Sequence, residues 1–383
     1  MATPAYDIAI IGTGPVGCAL ALCLARRAPD PGRIALLGPE PAPCAEGRSV
    51  DPRTLALNHG SRALLESLDA WPAHAAEILT VHVSQAGHLG RTLIDHHDLG
   101  VPRLGCVVSY DEVLAALHAA ARASGIERIL ERPGRPRPGR PVRLRVGDLD
   151  LDARAALVSD GERPRGLHRE YGQHAVLSTI RASRPIPGRA FERFTRHGPL
   201  ALLPHPDGGD LYSLVWCVPP DRARALEALD DDAFGAALQQ AFGQRLGALG
   251  KIGAMHVFPL SMHAGPALRG TGVASVGNAA QTLHPVAGQG LNLGLRDAAQ
   301  LADALAPWLA RPDEDVQPAL ERFASRRRID RGLTLAVTDT LPRVFATGNP
   351  LLRHLCGAAL AALDLAPALR APLARHLLQG QRH

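Results

Sequence analysis

The stretch YDIAIIGTGPVGCALALCLARR, residues 6–27, decides the fold. Tyr6–Ile11 is a largely apolar run of strand length, Gly12-Thr13-Gly14-Pro15-Val16-Gly17 has the G-x-G-x-x-G spacing, and Cys18–Arg27 is rich in alanine and leucine. With a second strand predicted at Ile34–Leu37, this is a β-turn-α-β unit of the kind that builds parallel sheets. The first glycine of such a turn bends the chain, the second lets backbone approach a pyrophosphate, and the third lets helix and strand pack closely. We therefore predict a dinucleotide-binding domain, with a purely structural turn as the alternative.

The second strand lacks one part of this fingerprint. An acidic residue at its end normally binds the ribose hydroxyls, but Ile34–Leu37 ends on Gly38. Glu40, two residues further on, is either a substitute for that acid or an ordinary surface glutamate.

A second glycine-rich stretch lies at Val276–Gly294 and leads into an amphipathic helix. A turn such as Gly288-Gln289-Gly290 lets backbone N–H groups point at a ligand beside the helix N-terminus, where the helix dipole favours an anion. A reduced flavin carries negative charge at one edge of its ring, so the turn is suited to a flavin. The alternatives are a second phosphate loop and a glycine-rich linker.

The segment between these motifs is rich in predicted strands, among them Ala175–Arg181, Ala190–Thr195 and Leu211–Cys217. Helix is predicted at Asp221–Leu249 and almost throughout the chain from Gly290 onward. The predicted fold class is therefore α/β: a Rossmann-like domain with an inserted β-sheet domain and a helical C-terminus. The expected boundaries are 1–75, 100–165 and 265–330 for the nucleotide domain, 76–99 and 166–264 for the substrate domain, and 331–383 for the C-terminal region.

Composition excludes several other classes. The chain has 383 residues, a net charge of +5 and 41 arginines against a single lysine, but the arginines are interspersed with acidic residues. We interpret the densest run, Arg326-Arg327-Arg328, as a solvated helix face, which argues against a nucleic-acid surface. Six cysteines without a C-x-x-C pair favour neither a disulfide framework nor a metal site, so no metal and a reducing cytoplasm are expected. The uncharged run Ile8–Ala25 is interrupted by glycines and proline, so we predict neither a signal peptide nor a transmembrane helix there.

Three motifs occur in a fixed order: Gly12-x-Gly14-x-x-Gly17, Asp160-Gly161 after a strand, and Gly277-Asn278 with Pro285 and Gly288-Gln289-Gly290 downstream. Together they resemble those of the FAD-dependent aromatic hydroxylases of the p-hydroxybenzoate hydroxylase fold. The segments 277–285, 51–57, 171–173 and 192–204 are similar to the 2-polyprenyl-6-methoxyphenol hydroxylase branch of ubiquinone biosynthesis. The similarity covers most of the chain.

This resemblance implies FAD as cofactor, NAD(P)H as transient electron donor and O2 as co-substrate. The implied reaction is hydroxylation of the ring of a polyprenylated phenol through a flavin C4a-hydroperoxide. Asp160-Gly161 and Gly277-Asn278 would approach the pyrophosphate and ribitol, and Arg53 would lie along the cofactor. Gly38, Asn278 and Pro164 depart from the usual family residues, which predicts loose FAD binding.

The predicted site residues form three groups. The cofactor-binding group is Gly12, Gly14, Pro15, Gly17, Glu40, Arg53, Asp160, Gly161, Gly277, Asn278, Pro285, Gly288, Gln289, Gly290, Leu291 and Asn292. His284 and Pro285 are the catalytic candidates beside the flavin, with a structural histidine as the alternative for His284. The candidate walls of the substrate pocket, or else ordinary core residues, are Leu200, Leu202, Pro204 and Phe258.

Two other function classes stay open at the level of sequence. A flavin-dependent reductase of an isoprenoid lipid would share the same motifs, and a non-catalytic scaffold of a quinone-biosynthesis complex would tolerate an imperfect FAD fingerprint. The expected partners are the phenol, other quinone-biosynthesis proteins and the inner face of the membrane, which arginines and leucines of segment 351–378 suit as an interfacial helix. The alternative is that these leucines pack on the protein's own core.

Overall fold

The computed structural model describes residues 4–40, 51, 53–87, 91–283 and 288–345. The helices are α1 (Pro15–Ala25), α2 (His59–Ser67), α3 (Tyr110–Ala123), α4 (Pro220–Glu227), α5 (Asp231–Phe242), α6 (Gln289–Leu309) and α7 (Gln317–Phe345). The strands are β1 (Tyr6–Ile11), β2 (Ile34–Leu37), β3 (Thr54–Asn58), β4 (Ala76–Ile78), β5 (Thr80–Gln85), β6 (Arg91–Asp95), β7 (Gly105–Ser109), β8 (Glu127–Ile129), β9 (Val142–Val146), β10 (Leu149–Val158), β11 (Leu167–Ala182), β12 (Arg189–Thr195), β13 (Gly198–His205), β14 (Gly208–Val218), β15 (Leu249–Ala264), β16 (Leu268–Gly270), β17 (Val273–Ser275) and β18 (Gln281–Thr282).

The first sheet has the order β16-β17-β10-β1-β2-β8, with β9 paired to β10. Its central pairs β17-β10, β10-β1, β1-β2 and β2-β8 are parallel. The predicted strands β1 and β2 have the observed bounds, because their apolar residues are buried on both faces of the sheet. Strand β10 is antiparallel to β9 over its first half and parallel to β1 over its second half.

The second sheet has the order β18-β15-β11-β14-β13-β12-β5-β6 and is antiparallel except at the β12-β5 pair. Helices α4 and α5 cover one of its faces, where Trp216 of β14 meets Phe234 of α5 edge to face, with ring centroids 6.5 Å apart. The single helical stretch predicted at Asp221–Leu249 is wrong: it contains two helices and ends on the first residue of β15. The expected domain boundaries stay a prediction, although the strands of the first sheet and those of β11–β15 come from the segments assigned to different domains.

Helix α6 packs on α1 beside the first sheet, and small residues set their separation. A Cβ atom at Gly294 of α6 would lie 2.6 Å from the side chain of Val16 in α1, and one at Gly277 would lie 3.1 Å from it. Close packing at this point brings the N-terminus of α6 to the same side of the first sheet as the N-terminus of α1. A small sheet of order β3-β7-β4 lies alongside, and β3 contacts α6.

Candidate functional site

A cavity of about 1540 Å³ extends between the first sheet and the uncovered face of the second. Single-ligand pockets usually have volumes of about 300–1,000 Å³, so this space suits a large cofactor together with a substrate. Its wall includes Gly12–Val16, Leu37–Pro39, the loop Arg132–Pro136, Asp160–Glu162 and Gly290–Asn292. The remainder of the wall comes largely from β5, β6 and β11–β15.

The turn between β1 and α1 forms a cradle for a phosphate group. Gly12 has a φ of +114°, and a Cβ atom at Gly17 would lie only 1.9 Å from the carbonyl oxygen of Gly12. Gly14 differs, because a Cβ there would meet no protein atom within 4 Å and would point into open space. Gly14 is also the N-cap of α1 and provides no capping side chain, which leaves the first N–H groups of the helix for an anion.

His118 of α3 fixes the orientation of this turn. Its Nε2 lies 2.9 Å from the carbonyl oxygen of Thr13, and the Sγ of Cys18 lies 3.2 Å from the same oxygen. Burial lowers the pKa of His118, which favours the neutral ring, with Nε2–H donating to Thr13. Because the C=O of Thr13 and the N–H of Gly14 belong to one peptide plane and point in opposite directions, this bond directs the Gly14 N–H away from His118.

Arg53 lies on the cavity wall between an acid and an aromatic ring. Its Nε donates to the carboxylate of Asp51 at 2.8 Å, and its guanidinium lies 4.6 Å from the ring centroid of Tyr110. The hydrogen bond to Asp51 raises the pKa of Arg53, so its charge is retained. Asp160 lies across the glycine turn, since a Cβ at Gly12 would come within 2.7 Å of its backbone.

Asn292 holds the start of the second glycine turn through hydrogen bonds to backbone groups. The backbone N–H of Asn58 donates to Oδ1 of Asn292 at 2.9 Å, and Nδ2 of Asn292 donates to the carbonyls of Ala56 at 2.8 Å and Gly288 at 2.6 Å. Gly288 has a φ of +59° and directly precedes α6, while Gly290 faces open space. The buried amide of Asn292 therefore connects β3 to the start of α6.

Asp297 is a second buried anchor of this region. One carboxylate oxygen accepts from the backbone N–H of Gly277 at 3.1 Å and from Nε2 of Gln281 at 2.7 Å, and the other lies 2.5 Å from Nε of Arg327. The interpretation of Arg326-Arg327-Arg328 as a solvated face is thus wrong for its middle member, which is 1% exposed. Arg326 and Arg328 are exposed, as predicted.

These features fit FAD. Two helix N-termini without a capping side chain, in the described part of the chain, face one cavity that also contains Asp160, Asn278 and a partly exposed arginine. Gly14 and Gly290 leave room where any side chain would intrude. Gly14 and its neighbours would hold the pyrophosphate, and the start of α6 would meet the anionic edge of the reduced ring.

Comparison with known proteins leads to the same cofactor. Residues 174–328 match the FAD binding domain family. The ubiquinone hydroxylase UbiL of Rhodospirillum rubrum is 31% identical over 89% of this chain and 82% of its own length. The 3-demethoxyubiquinol 3-hydroxylase of Escherichia coli is 29% identical over 97% of this chain and 98% of its own.

The chain belongs to the family of FAD-dependent hydroxylases of ubiquinone biosynthesis. This membership confirms the predicted family, the cofactor FAD and the monooxygenase class. The fold agrees: the p-nitrophenol 4-monooxygenase of Pseudomonas putida aligns over 99% of both chains with a TM-score of 0.75 at 16% identity.

Most predicted cofactor residues of this hydroxylase lie around the cavity. Those on its wall are Gly12, Gly14, Pro15, Arg53, Asp160, Gly161, Asn278, Gly288, Gly290, Leu291 and Asn292. Gly17 and Gly277 are buried behind it, where Gly17 contacts Gly12 and Gly277 contacts Val16. His284, Pro285 and the side chain of Gln289 lie outside the described residues.

Glu40 is not among the residues of the cavity wall, although the preceding Pro39 is, and its role as the ribose acid stays a prediction. Its carboxylate accepts from Arg128 at 2.8 Å and from Arg122 at 3.0 Å, and the hydrogen bond to Arg128 lowers its pKa. These two arginines hold the Glu40 carboxylate in two ion pairs.

The residues of β13 that were expected to line the substrate pocket point away from the cavity. Leu200 and Leu202 are fully buried against α4 and α5, and Pro204 also stays off the cavity wall. Side chains alternate along a strand, so the cavity is lined by the intervening residues Ala201, Leu203 and His205. Phe258 does line the cavity and is 41% exposed.

Three polar residues on the cavity side of the second sheet are not recognisable from the sequence. Glu192 of β12, Thr92 of β6 and Ser213 of β14 line the cavity. Glu192 begins segment 192–204, which resembles the hydroxylase family, but nothing in a single sequence shows that its side chain faces the cavity. Only the pairing register of β12 establishes that.

Proposed function

We propose that the protein hydroxylates the aromatic ring of a polyprenylated phenol in ubiquinone biosynthesis, using FAD, O2 and reduced nicotinamide. In the balanced reaction, one oxygen atom of O2 enters the ring, the other leaves as water, and NAD(P)H supplies two electrons. One observation carries the proposal: a single cavity joins two glycine turns at helix N-termini to an apolar sheet face. The named activities of the relatives supply the substrate class.

At the cofactor end, this chain's residues bind and orient. The N–H groups at the start of α1 neutralise the pyrophosphate, and Arg53 adds a positive charge. The start of α6 favours negative charge at the flavin ring, because the helix dipole is positive there. Bound FAD supplies the redox chemistry by accepting electrons from reduced nicotinamide and activating O2.

At the inner end, the second sheet excludes water from the reacting atoms. The cavity side of this sheet carries Val81, Leu177, Ala201, Leu203 and Val215. An apolar wall of this kind protects activated oxygen from breakdown by solvent and accommodates an aromatic ring.

The proposal predicts oxygen-18 incorporation. The purified holoprotein, supplied with a short-chain prenylated phenol and NADPH or NADH under ¹⁸O2, should form a ring-hydroxylated product carrying one ¹⁸O atom. A reductase would consume nicotinamide without putting label into the product. Failure to retain FAD, or to consume nicotinamide with any prenylated phenol, would instead favour the scaffold.

The further partners in this proposal are other quinone-biosynthesis proteins and the membrane surface. Among the described residues, no helix has both the length and the apolar character needed to cross a bilayer. A polyprenylated phenol partitions into lipid, so the protein has to meet its substrate at a membrane surface. Segment 351–378 supplies leucines and arginines suited to that contact.

A further inference from the structure

Glu192 lies in a row of residues that crosses the second sheet on its cavity side. Strand pairing aligns Glu192 with Val83 of β5 on one side and with Ala201 of β13 on the other. The row continues to Thr92 of β6 at one end, and through Val215 and Leu177 to His256 of β15 at the other. Every member of the row lines the cavity. A carboxyl group thus extends into the substrate space from between two small apolar side chains.

This carboxyl group has no partner among the residues that the structure describes. In the part of the chain that the structure describes, Glu192 makes no hydrogen bond and no ion pair. An isolated carboxylate in an apolar wall lowers the folding stability by several kcal/mol, so a contribution to stability does not explain why Glu192 lies there. Burial raises the pKa of Glu192 to about 7, so the group can gain or lose a proton near neutral pH.

The surroundings of Glu192 add little charge. The neighbours on β5 and β13 are Val83 and Ala201, and the titratable group nearby on β14 is Cys217. Burial, together with Glu192 itself, raises the pKa of the Cys217 thiol far above neutrality, so Cys217 stays uncharged. Burial is therefore the dominant influence on the proton affinity of Glu192.

Two hydroxyl groups beside this carboxyl group are covered by protein atoms and do not offer their oxygen atoms to the cavity. The hydroxyls of Thr92 and Ser213, residues that are 3% and 5% exposed, have no hydrogen-bond partner among the described residues. Thr92 is two strands from Glu192 in the same row, a separation of about 10 Å between backbones at the usual strand spacing.

The histidines of the same wall are less suited to meet a substrate hydroxyl. His205 already receives the backbone N–H of Asp207 at its Nδ1 at 3.2 Å, and its Nε2 lies 3.5 Å from Oγ1 of Thr179. His256 is four strands away from Glu192 along the row. Glu192 is the acidic group of this row, and its carboxylate oxygen atoms have no partner among the described residues.

We propose that Glu192 is a catalytic base that accepts the proton of the substrate's ring hydroxyl. This inference rests on the proposed hydroxylase function. In the step, the phenol O–H bond breaks, its electron pair stays on the phenol oxygen, and a new O–H bond forms on the carboxylate. The phenolate raises the electron density of the ring carbons ortho and para to it, where an electrophilic oxygen is received. No oxidant or reductant is consumed in this proton transfer.

The test compares the FAD-loaded wild type with Glu192→Gln, Glu192→Asp and a control, Asp210→Asn. Asp210 is an exposed acid on β14 that pairs with Arg181, so its change replaces a carboxyl group on the same sheet outside the cavity. The substrate is a short-chain prenylated phenol, and the hydroxylation rate is measured from below to above pH 7. In the wild type the rate should rise with increasing pH, with a midpoint at about pH 7, and then reach a plateau.

Glu192→Gln should lose this rise and hydroxylate about 100-fold more slowly at the plateau, as removal of a general base commonly causes. It should keep its FAD content and continue to oxidise NAD(P)H, with H2O2 released in place of product. Glu192→Asp should keep a pH-dependent rise at a reduced rate, and Asp210→Asn should match the wild type. Full activity with an unchanged pH profile in Glu192→Gln would overturn the proposal.

Infrared difference spectroscopy supplies a readout that needs no turnover. A protonated-carboxyl band should titrate near pH 7 in the wild-type holoprotein, shift when the phenol binds, and be missing in Glu192→Gln. An unshifted band in a wild type that does hydroxylate the phenol would refute contact between Glu192 and substrate. A wild type that forms no product from any phenol would instead refute the hydroxylase function itself, whatever the band does.

Discussion

Replacing Gly14 or Gly17 by alanine should have different effects, on FAD binding in the first case and on folding stability in the second. At Gly14 the methyl would enter open cavity space, and at Gly17 it would collide with the carbonyl oxygen of Gly12. We expect Gly14→Ala to weaken FAD binding at least tenfold, about 1.4 kcal/mol, while the free energy of unfolding of the FAD-free protein changes by about 1 kcal/mol or less. We expect Gly17→Ala to lower the free energy of unfolding by about 3 kcal/mol through overpacking. Fluorescence titration with FAD and urea unfolding of the FAD-free protein measure the two effects, and equal FAD affinity in Gly14→Ala and wild type would contradict this assignment.

Residue types that dictate backbone geometry were predictable, and residues whose role depends on a distant partner were not. The spacing of Gly12, Gly14 and Gly17 is itself enough to predict a phosphate-binding turn. The role of His118 requires the turn at Thr13, more than a hundred positions earlier in the chain, and the ion pairs of Glu40 have no signal in the sequence because Arg122 and Arg128 meet it only in the fold. For β13 the strand was recognisable, but which alternating set faces the ligand follows from the packing of α4 and α5 on the opposite face.

Helices α6 and α7 are connected by the buried pair Asp297–Arg327, which also supports the turn at Gly277. Arg327→Met would leave a buried carboxylate without its arginine, and such losses typically cost about 3–5 kcal/mol of folding stability. Arg326→Met and Arg328→Met are matched controls from the same helix turn, and changes at such exposed sites usually stay within about 0.5 kcal/mol. We also expect weaker FAD binding in Arg327→Met, because Asp297 orients Gly277 beside Asn278. Thermal unfolding of the three variant holoproteins measures the difference in stability. Equal stabilities would show that the Asp297–Arg327 pair does not stabilise the fold.

Elements were predicted best where the local pattern and the final environment agree. β2 is apolar throughout, β1 is apolar except near its start, where Asp7 lies, and both strands are in the middle of a parallel sheet, so hydrophobicity located their ends. β11 runs from Leu167 to Ala182, although only Ala175–Arg181 was predicted, because its first half is polar and is held by pairing with β15. Sheet pairing, a long-range interaction, extends strands beyond what local sequence preference indicates.

At the scale of the whole molecule, the insertion between the two glycine turns creates the site. The first sheet and the two helix N-termini form the cofactor end, and strands from the middle of the chain form the inner end of the same cavity. The order of the motifs predicted this arrangement in outline. The pairing of β12 with β5, which brings residues about a hundred positions apart into one sheet, had no signal in the sequence.

The access of a lipid-soluble phenol to this cavity leads to a prediction for the whole chain. Segment 351–378 contains Arg353, Arg370 and Arg375 among many leucines. Each basic residue near an anionic bilayer contributes about 1 kcal/mol to binding, so reversing all three to glutamate should lower vesicle affinity more than about 100-fold. A matched control reverses three exposed arginines of the described region, Arg145, Arg181 and Arg311, which changes the net charge equally. Both full-length proteins, checked for FAD content, are floated with vesicles rich in anionic lipid and with zwitterionic vesicles. The wild type and the control should float with the anionic vesicles at low salt, and the variant reversed in segment 351–378 should not. Equal flotation of the two variants would assign membrane contact to another surface, and absence of flotation in the wild type would leave a protein partner as the route by which the phenol reaches the cavity.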